Sequence, residues 1–124
     1  MGYVINTAGP VVLLNSSSSG FGEWYRVHPK LGNLTFQVLH ESLTSVGTTV
    51  SSTAVVQASN DGTNPLLTTA GTTAAALGTV ALSGGSPQSD GFTVQACWGW
   101  VRAGLLSAPS TGRVKVTVNG QMRS

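Results

Sequence analysis

Charge is what this chain has least of. Asp, Glu, Lys and Arg together make 8% of its 124 residues, against about 25% in ordinary globular proteins. The basic residues Arg26, Lys30, Arg102, Arg113, Lys115 and Arg123 are scattered and leave a formal charge of +2. With no cluster to displace condensed counterions, the charge argues against electrostatic nucleic-acid binding. The carboxylates are Glu23, Glu41, Asp61 and Asp90, and no pair of them has a spacing that suggests general acid and base chemistry. A surface this weakly charged lacks the repulsion that keeps copies apart, so self-association or docking is expected.

Cysteine is almost missing. Cys97 is the single one, so no intrachain disulfide and no Cys-x-x-Cys metal site exist. Within "VQACWGW" it reads as a small buried hydrophobe, because no basic neighbour lowers its pKa. Long apolar runs are missing as well. Even "AAALGTVAL" is too short and too interrupted to cross a bilayer. The start "MGYVINTAGPVVLLNSSSS" has neither the basic residues nor the apolar stretch of a signal peptide. Synthesis in a cytoplasm, with no membrane partner, is the expectation.

Catalytic motifs are equally sparse. His28 ("RVHPK") and His40 ("VLHES") have no acid at a recognisable spacing, and "HESLT" lacks the second histidine of the zinc-protease helix. Both read as polar side chains at strand ends; a small hydrolase using His40 would need a carboxylate partner. No Gly-x-Ser-x-Gly elbow and no phosphate-binding loop is present. We therefore expect no catalytic residues, no metal ligands and no cofactor.

Present in quantity are small hydroxyls and glycine: fifteen Ser, fifteen Thr and sixteen Gly. Thr and Val fall in alternating runs, the pattern of pleated strands with one buried face. "NLTFQVLH" sets Leu34, Phe36 and Val38 against Thr35 and Gln37. "TTVSSTAVVQAS" sets Val50, Ala54, Val56 and Ala58 against Thr49, Ser51, Thr53 and Gln57. "GRVKVTVNG" sets Val114, Val116 and Val118 against Arg113, Lys115 and Thr117. "PVVLL" and "EWYRVH" read as shorter strands, and Leu77 to Leu82 as a strand after a loop, with a short helix over Ala74 to Leu77 as the alternative. "GFTVQACWGWVRAGLLS" reads as the longest strand, its Phe92, Val94, Ala96, Trp98, Trp100 and Arg102 sharing one parity. Gly99 and Gly104 mark bulges or bends in it.

In "SNDGTNP", Asn60, Asp61 and Asn64 could offer oxygens to calcium. A hard cation wants six to eight oxygens with several carboxylates, and this segment has one. Asn-Asp-Gly reads instead as a turn.

These runs imply an all-β, antiparallel β-sandwich, jelly-roll-like, with a short extended N-terminal arm. Residues 1–20 form the arm or strand and a Ser-rich hinge, and residues 21–124 the sandwich domain. The arm could add a strand to a neighbour's open sheet edge, so removing Met1 to Ser19 should leave the domain folded and weaken attachment. The candidate interface is Val11, Val12, Leu13, Leu14, Trp24, Tyr25 and Trp100. Trp98 reads as core, and an exposed Trp24 or Trp100 as an interface anchor or a platform for a sugar ring.

The succession "STAVVQASNDGTNP", "LGTVALSG", "SDGF", "WGWVRAGLLS" and "GRVKVTVNG" resembles small β-sandwich proteins of tailed bacteriophages, over roughly Phe36 to Gly120. Capsid decoration (cement) proteins and some head-fibre and tail-appendage domains share this pattern. The resemblance implies a non-enzymatic virion protein, made in the bacterial host cytoplasm, that binds the major capsid protein on the outside of an assembled head. It implies a dimer or trimer. A weaker likeness, in "QASNDGTNP" and "WVRA", is to discoidin-type carbohydrate-binding sandwiches. The corresponding alternative is a glycan-binding module of a tail fibre or baseplate. Pro65-Leu66 stands where the pattern carries an aromatic after "DGTN".

Overall fold

The computed structural model describes residues 3–5, 10–42, 48–60, 75–95 and 98–122. The expected turn from Asp61 to Asn64 and the burial of Cys97 fall outside them. Every regular element described is a strand: β1 (Tyr3–Ile5), β2 (Val11–Ser16), β3 (Gly20–Phe21), β4 (Tyr25–Val27), β5 (Leu31–Glu41), β6 (Thr49–Ser59), β7 (Ala75–Gly85), β8 (Gln88–Gln95), β9 (Trp100–Leu105) and β10 (Arg113–Met122). The described residues hold no helix long and apolar enough to cross a membrane.

Two sheets form. One has the order β1-β4-β9-β6-β7, with β3 also paired to β9; the other has the order β2-β10-β5-β8. From β4 onward the chain passes between them, with β6 and β7 as the one hairpin that stays within a sheet. This double-layered, antiparallel alternation is a jelly roll. β1 departs from it by joining β4 in parallel.

The core lies between the layers and follows the alternation in the sequence. Leu34, Phe36 and Val38 of β5 and Val114, Val116 and Val118 of β10 line the four-stranded side. Ala54, Val56 and Ala58 of β6, Val80 and Leu82 of β7, and Val101, Ala103 and Leu105 of β9 line the other. Phe36 and Phe92, directly opposite each other on β5 and β8, pack at 5.1 Å between ring centroids. Residues 75–85 are strand throughout, so the helical alternative for Ala75 to Leu77 does not occur.

The N-terminal segment is not a free arm. β2 pairs antiparallel with β10, and β1 with β4. Leu13 and Ile5 are part of the core. The apolar run "PVVLL" that suggested a strand for a neighbour is paired inside the chain's own four-stranded sheet.

The long run from Phe92 to Ser107 is two strands, not one. β8 closes one edge of the four-stranded sheet, and β9 lies inside the other sheet. The crossing passes through Gly99, whose N–H donates to Asn60 Oδ1 at 2.8 Å. Trp98 packs against the core, as expected, but Trp100 stands on the outer side of its sheet beside Arg102.

Candidate functional site: an arginine and aromatic cluster on the six-stranded sheet

β3 and β4 run one after the other along β9. Phe21 pairs with Gly104 and Tyr25 with Val101. Three residues, Gly22, Glu23 and Trp24, therefore face two, Arg102 and Ala103, which is the count of a β-bulge. The extra residue reverses the side-chain alternation. Phe21 lies over the outer face, where a Cβ on Gly104 would overlap its ring. Tyr25 packs toward the core. Gly22 holds the bulge in place: its N–H donates to the Ala103 carbonyl at 2.8 Å, and a side chain there would press on the Leu13 carbonyl.

Arg102 is the centre of the cluster. Its guanidinium carbon lies 4.1 Å from the Phe21 ring centroid and 4.7 Å from that of Trp24. Such contacts stabilise by about 0.5–1 kcal/mol each at a partly exposed site. Its Nε donates to Gln57 Oε1 of the adjacent strand at 2.9 Å. These are its partners among the described residues, and none is an acid. Partial burial pushes the guanidinium below its ordinary pKa.

Trp24 is 1% exposed, yet lies outside the main core cluster, and its Nε1 has no hydrogen-bond partner among the described residues. Phe21 is 42% exposed. Trp100 occupies the next outward position of β9, half-buried between Arg26 on β4 and Ser59 on β6. The outer face thus gathers two arginines, three aromatic rings and an amide.

The expected interface residues are divided by this geometry. Trp24 and Trp100 belong to the cluster. Leu13 is inside the core, and Trp24 is covered, so neither side chain offers surface to a partner in this conformation. Val11 and Leu14 are half-buried against the core, and Val12 is exposed. The Tyr25 hydroxyl bridges the two layers by donating to the Val12 carbonyl at 3.0 Å. Phe21, Gln57 and Arg102 were missed as site residues. The signal for them was faint: Arg102 shares the parity of Trp100, and Gln57 the outward parity of β6, but their pairing is set by β6–β9 register.

The histidines take other roles. His28 Nδ1 accepts the Lys30 N–H at 3.1 Å in a local turn. His40 stands at the end of β5, as expected, but is fully buried. Its Nδ1 meets Ser52 Oγ at 2.8 Å and its Nε2 meets the Thr111 carbonyl. The carbonyl can only accept, so Nε2 carries a proton, and in the neutral ring Nδ1 then accepts from the serine. No carboxylate takes part in this arrangement. Among the described residues no three His, Cys, Asp or Glu side chains gather as metal ligands.

The four-stranded sheet presents a different surface. Thr35 and Thr93 hydroxyls meet at 3.1 Å, and Gln37 Nε2 donates to Ser89 Oγ at 2.9 Å. Arg113 donates through Nε to Asn15 Oδ1 at 3.0 Å and through Nη2 to the Asn15 carbonyl at 2.8 Å. Thr117 and Asn119 continue these outward rows on β10.

No family model and no curated protein matches this sequence. Two solved structures are similar in shape. One, from a study entitled "Bacillus endospore appendages form a novel family of disulfide-linked pili", is 18% identical with a TM-score of 0.43, over 93% of this chain and 87% of that one. The other, murine APRIL, is 16% identical with a TM-score of 0.42, over 84% of this chain and 78% of that one. Likenesses this distant have no bearing on what the chain does.

Proposed function

We propose that this chain is a non-enzymatic virion protein that decorates the outside of an assembled phage head, binding the major capsid protein and its own copies. The observation that carries the reading is the outer face of the four-stranded sheet. Its hydroxyl and amide side chains are tied to one another across strands, giving an ordered surface with few charges. Such a face adheres through shape and hydrogen bonds rather than charge. Multiple copies on a shell convert modest contacts into secure attachment. The buried His40, spent on Ser52 and Thr111, fits a scaffold role. The test is co-sedimentation with undecorated heads of the phage that encodes the chain. Binding that is lost when Thr35 and Thr93 are both changed to Lys supports the reading. Free chain left in the supernatant at all head concentrations refutes it.

A second reading, a glycan-binding module of a tail fibre or baseplate, is favoured by the arginine and aromatic cluster. Exposed aromatic faces beside fixed polar groups are the usual lining of small-ligand sites. A glycan array tests it, with Trp100→Ala as the control for stacking.

A further inference from the structure

We propose that Arg102, held between Phe21, Trp24 and Gln57 on the outer face of the six-stranded sheet, binds the carboxylate of an acidic sugar, a hexuronate. The inference rests on the glycan reading and adds to it the charge of the ligand and the residue that recognises it.

A guanidinium carries five N–H donors in a planar fork that matches a carboxylate with two parallel bonds. One donor, at Nε, is spent on Gln57. No oxygen among the described residues accepts from the terminal nitrogens. With four terminal N–H groups and no acceptor for them among the described residues, the guanidinium is rich in donors and short of acceptors. An anionic ligand supplies what is missing.

The cluster is also ordered before any ligand arrives. Two ring contacts and one hydrogen bond orient Arg102, and the bulge at Gly22–Trp24 sets the rings around it. Arginine side chains otherwise lose much rotamer freedom on binding, and preorganisation removes that cost. Partial desolvation works in the same direction, since a charge short of water gains more from a counter-ion. Arg26, directly across from Trp100, adds a second positive charge to the same face.

A sugar, rather than a simple anion, follows from the surroundings. Phe21 offers an exposed ring beside the guanidinium, and Trp100 a half-buried one at the next outward position of the strand. Both suit the C–H faces of a pyranose. The Gln57 amide, whose oxygen accepts from Arg102, has its NH₂ group for a ring hydroxyl.

The test is an NMR titration of the full chain with sodium glucuronate, glucose, sodium acetate and a short aspartate-containing peptide, at matched ionic strength. Glucuronate should shift the Arg102 Nε–H and Trp24 indole N–H signals. Its affinity should fall at least tenfold in Arg102→Gln and in Arg102→Lys, which keeps the charge without the fork, and stay unchanged in Arg113→Gln. Acetate binding as well as glucuronate would overturn the proposal in favour of a plain anion site. Binding of the peptide alone would overturn it in favour of a protein partner. Glucose binding equally, with no loss in Arg102→Gln, would sink the carboxylate and leave the glycan reading standing. No response to either sugar would remove both.

Discussion

His40 and Ser52 face each other across the two layers of the sandwich, Nδ1 to Oγ at 2.8 Å, each in a row of otherwise apolar side chains. With Nε2 bound to the Thr111 carbonyl, the imidazole joins β5, β6 and the loop before β10. Ser52→Ala leaves the ring nitrogen buried without a donor, which costs about 1–3 kcal/mol. His40→Ala removes both bonds and opens a cavity, so it should cost more, about 3 kcal/mol or above. Urea unfolding midpoints measure both. If the pair acts as one unit, the double substitution costs less than the sum of the two singles.

The N-terminal residues are load-sharing parts of both sheets. Ile5 and Leu13 are in the core, and β2 occupies an edge along β10. Deleting residues 1–19 exposes Val114, Val116 and Val118 at that side and removes two buried aliphatic side chains. Loss of each such side chain alone costs about 2–5 kcal/mol, comparable in sum to the whole stability of a domain this size. The truncated chain should be unfolded or aggregated by circular dichroism and gel filtration, rather than folded and merely detached.

Much of this is legible in the sequence. The alternating valines of β10 and the Leu34, Phe36 and Val38 row of β5 point inward as their period requires. Even the His40–Ser52 pair can be seen in retrospect, because both residues stand on the inward parity of their strands. What alternation does not carry is the layer to which a strand belongs. Phe92 and Trp100 share a parity, yet the chain changes sheets between them at Gly99, and one ring faces the core while the other faces outward. The bulge at Gly22–Trp24 likewise inserts a single residue that reverses the alternation. Only the pairing of β3 and β4 with β9 reveals it, and with it the environment of Arg102.

Tyr25→Phe tests the closure between the layers. The hydroxyl donates to the Val12 carbonyl on the outer strand of the four-stranded sheet. Its loss should cost about 0.5–1.5 kcal/mol. It also frees an acceptor on that edge, so faster amide exchange in β2 should accompany the drop in stability, with β5 and β6 unaffected.

Gly112 has a φ of 69°, and a Cβ there would overlap the Glu41 carbonyl. The left-handed conformation alone costs a side-chain-bearing residue about 1–2 kcal/mol. The overlap is with backbone, which has no rotamer by which to yield. Gly112→Ala should therefore lower stability by more than about 2 kcal/mol, and it should also disturb His40, whose Nε2 partner Thr111 is the preceding residue. By contrast Gly20, with a φ of 121° and open space around its Cβ position, carries the conformational cost alone. Its alanine variant should be the milder of the two in the same urea series.

Trp24 sets two effects against each other. Replacing a buried tryptophan ordinarily costs several kcal/mol through lost contacts, about 3–5 kcal/mol for truncation to alanine. Here the indole N–H is buried without a partner, a penalty of about 1–3 kcal/mol already present in the folded chain. Trp24→Phe removes that penalty, keeps a ring beneath Arg102 and gives up only part of the packing. The substitution should cost less than about 1 kcal/mol by the difference between these terms. Acrylamide quenching gives an independent readout: Trp24 is shielded while Trp98 and Trp100 are half-buried. The phenylalanine variant should lose the least quenchable component of the emission. A large loss of stability would mean that the indole nitrogen finds an acceptor in solution.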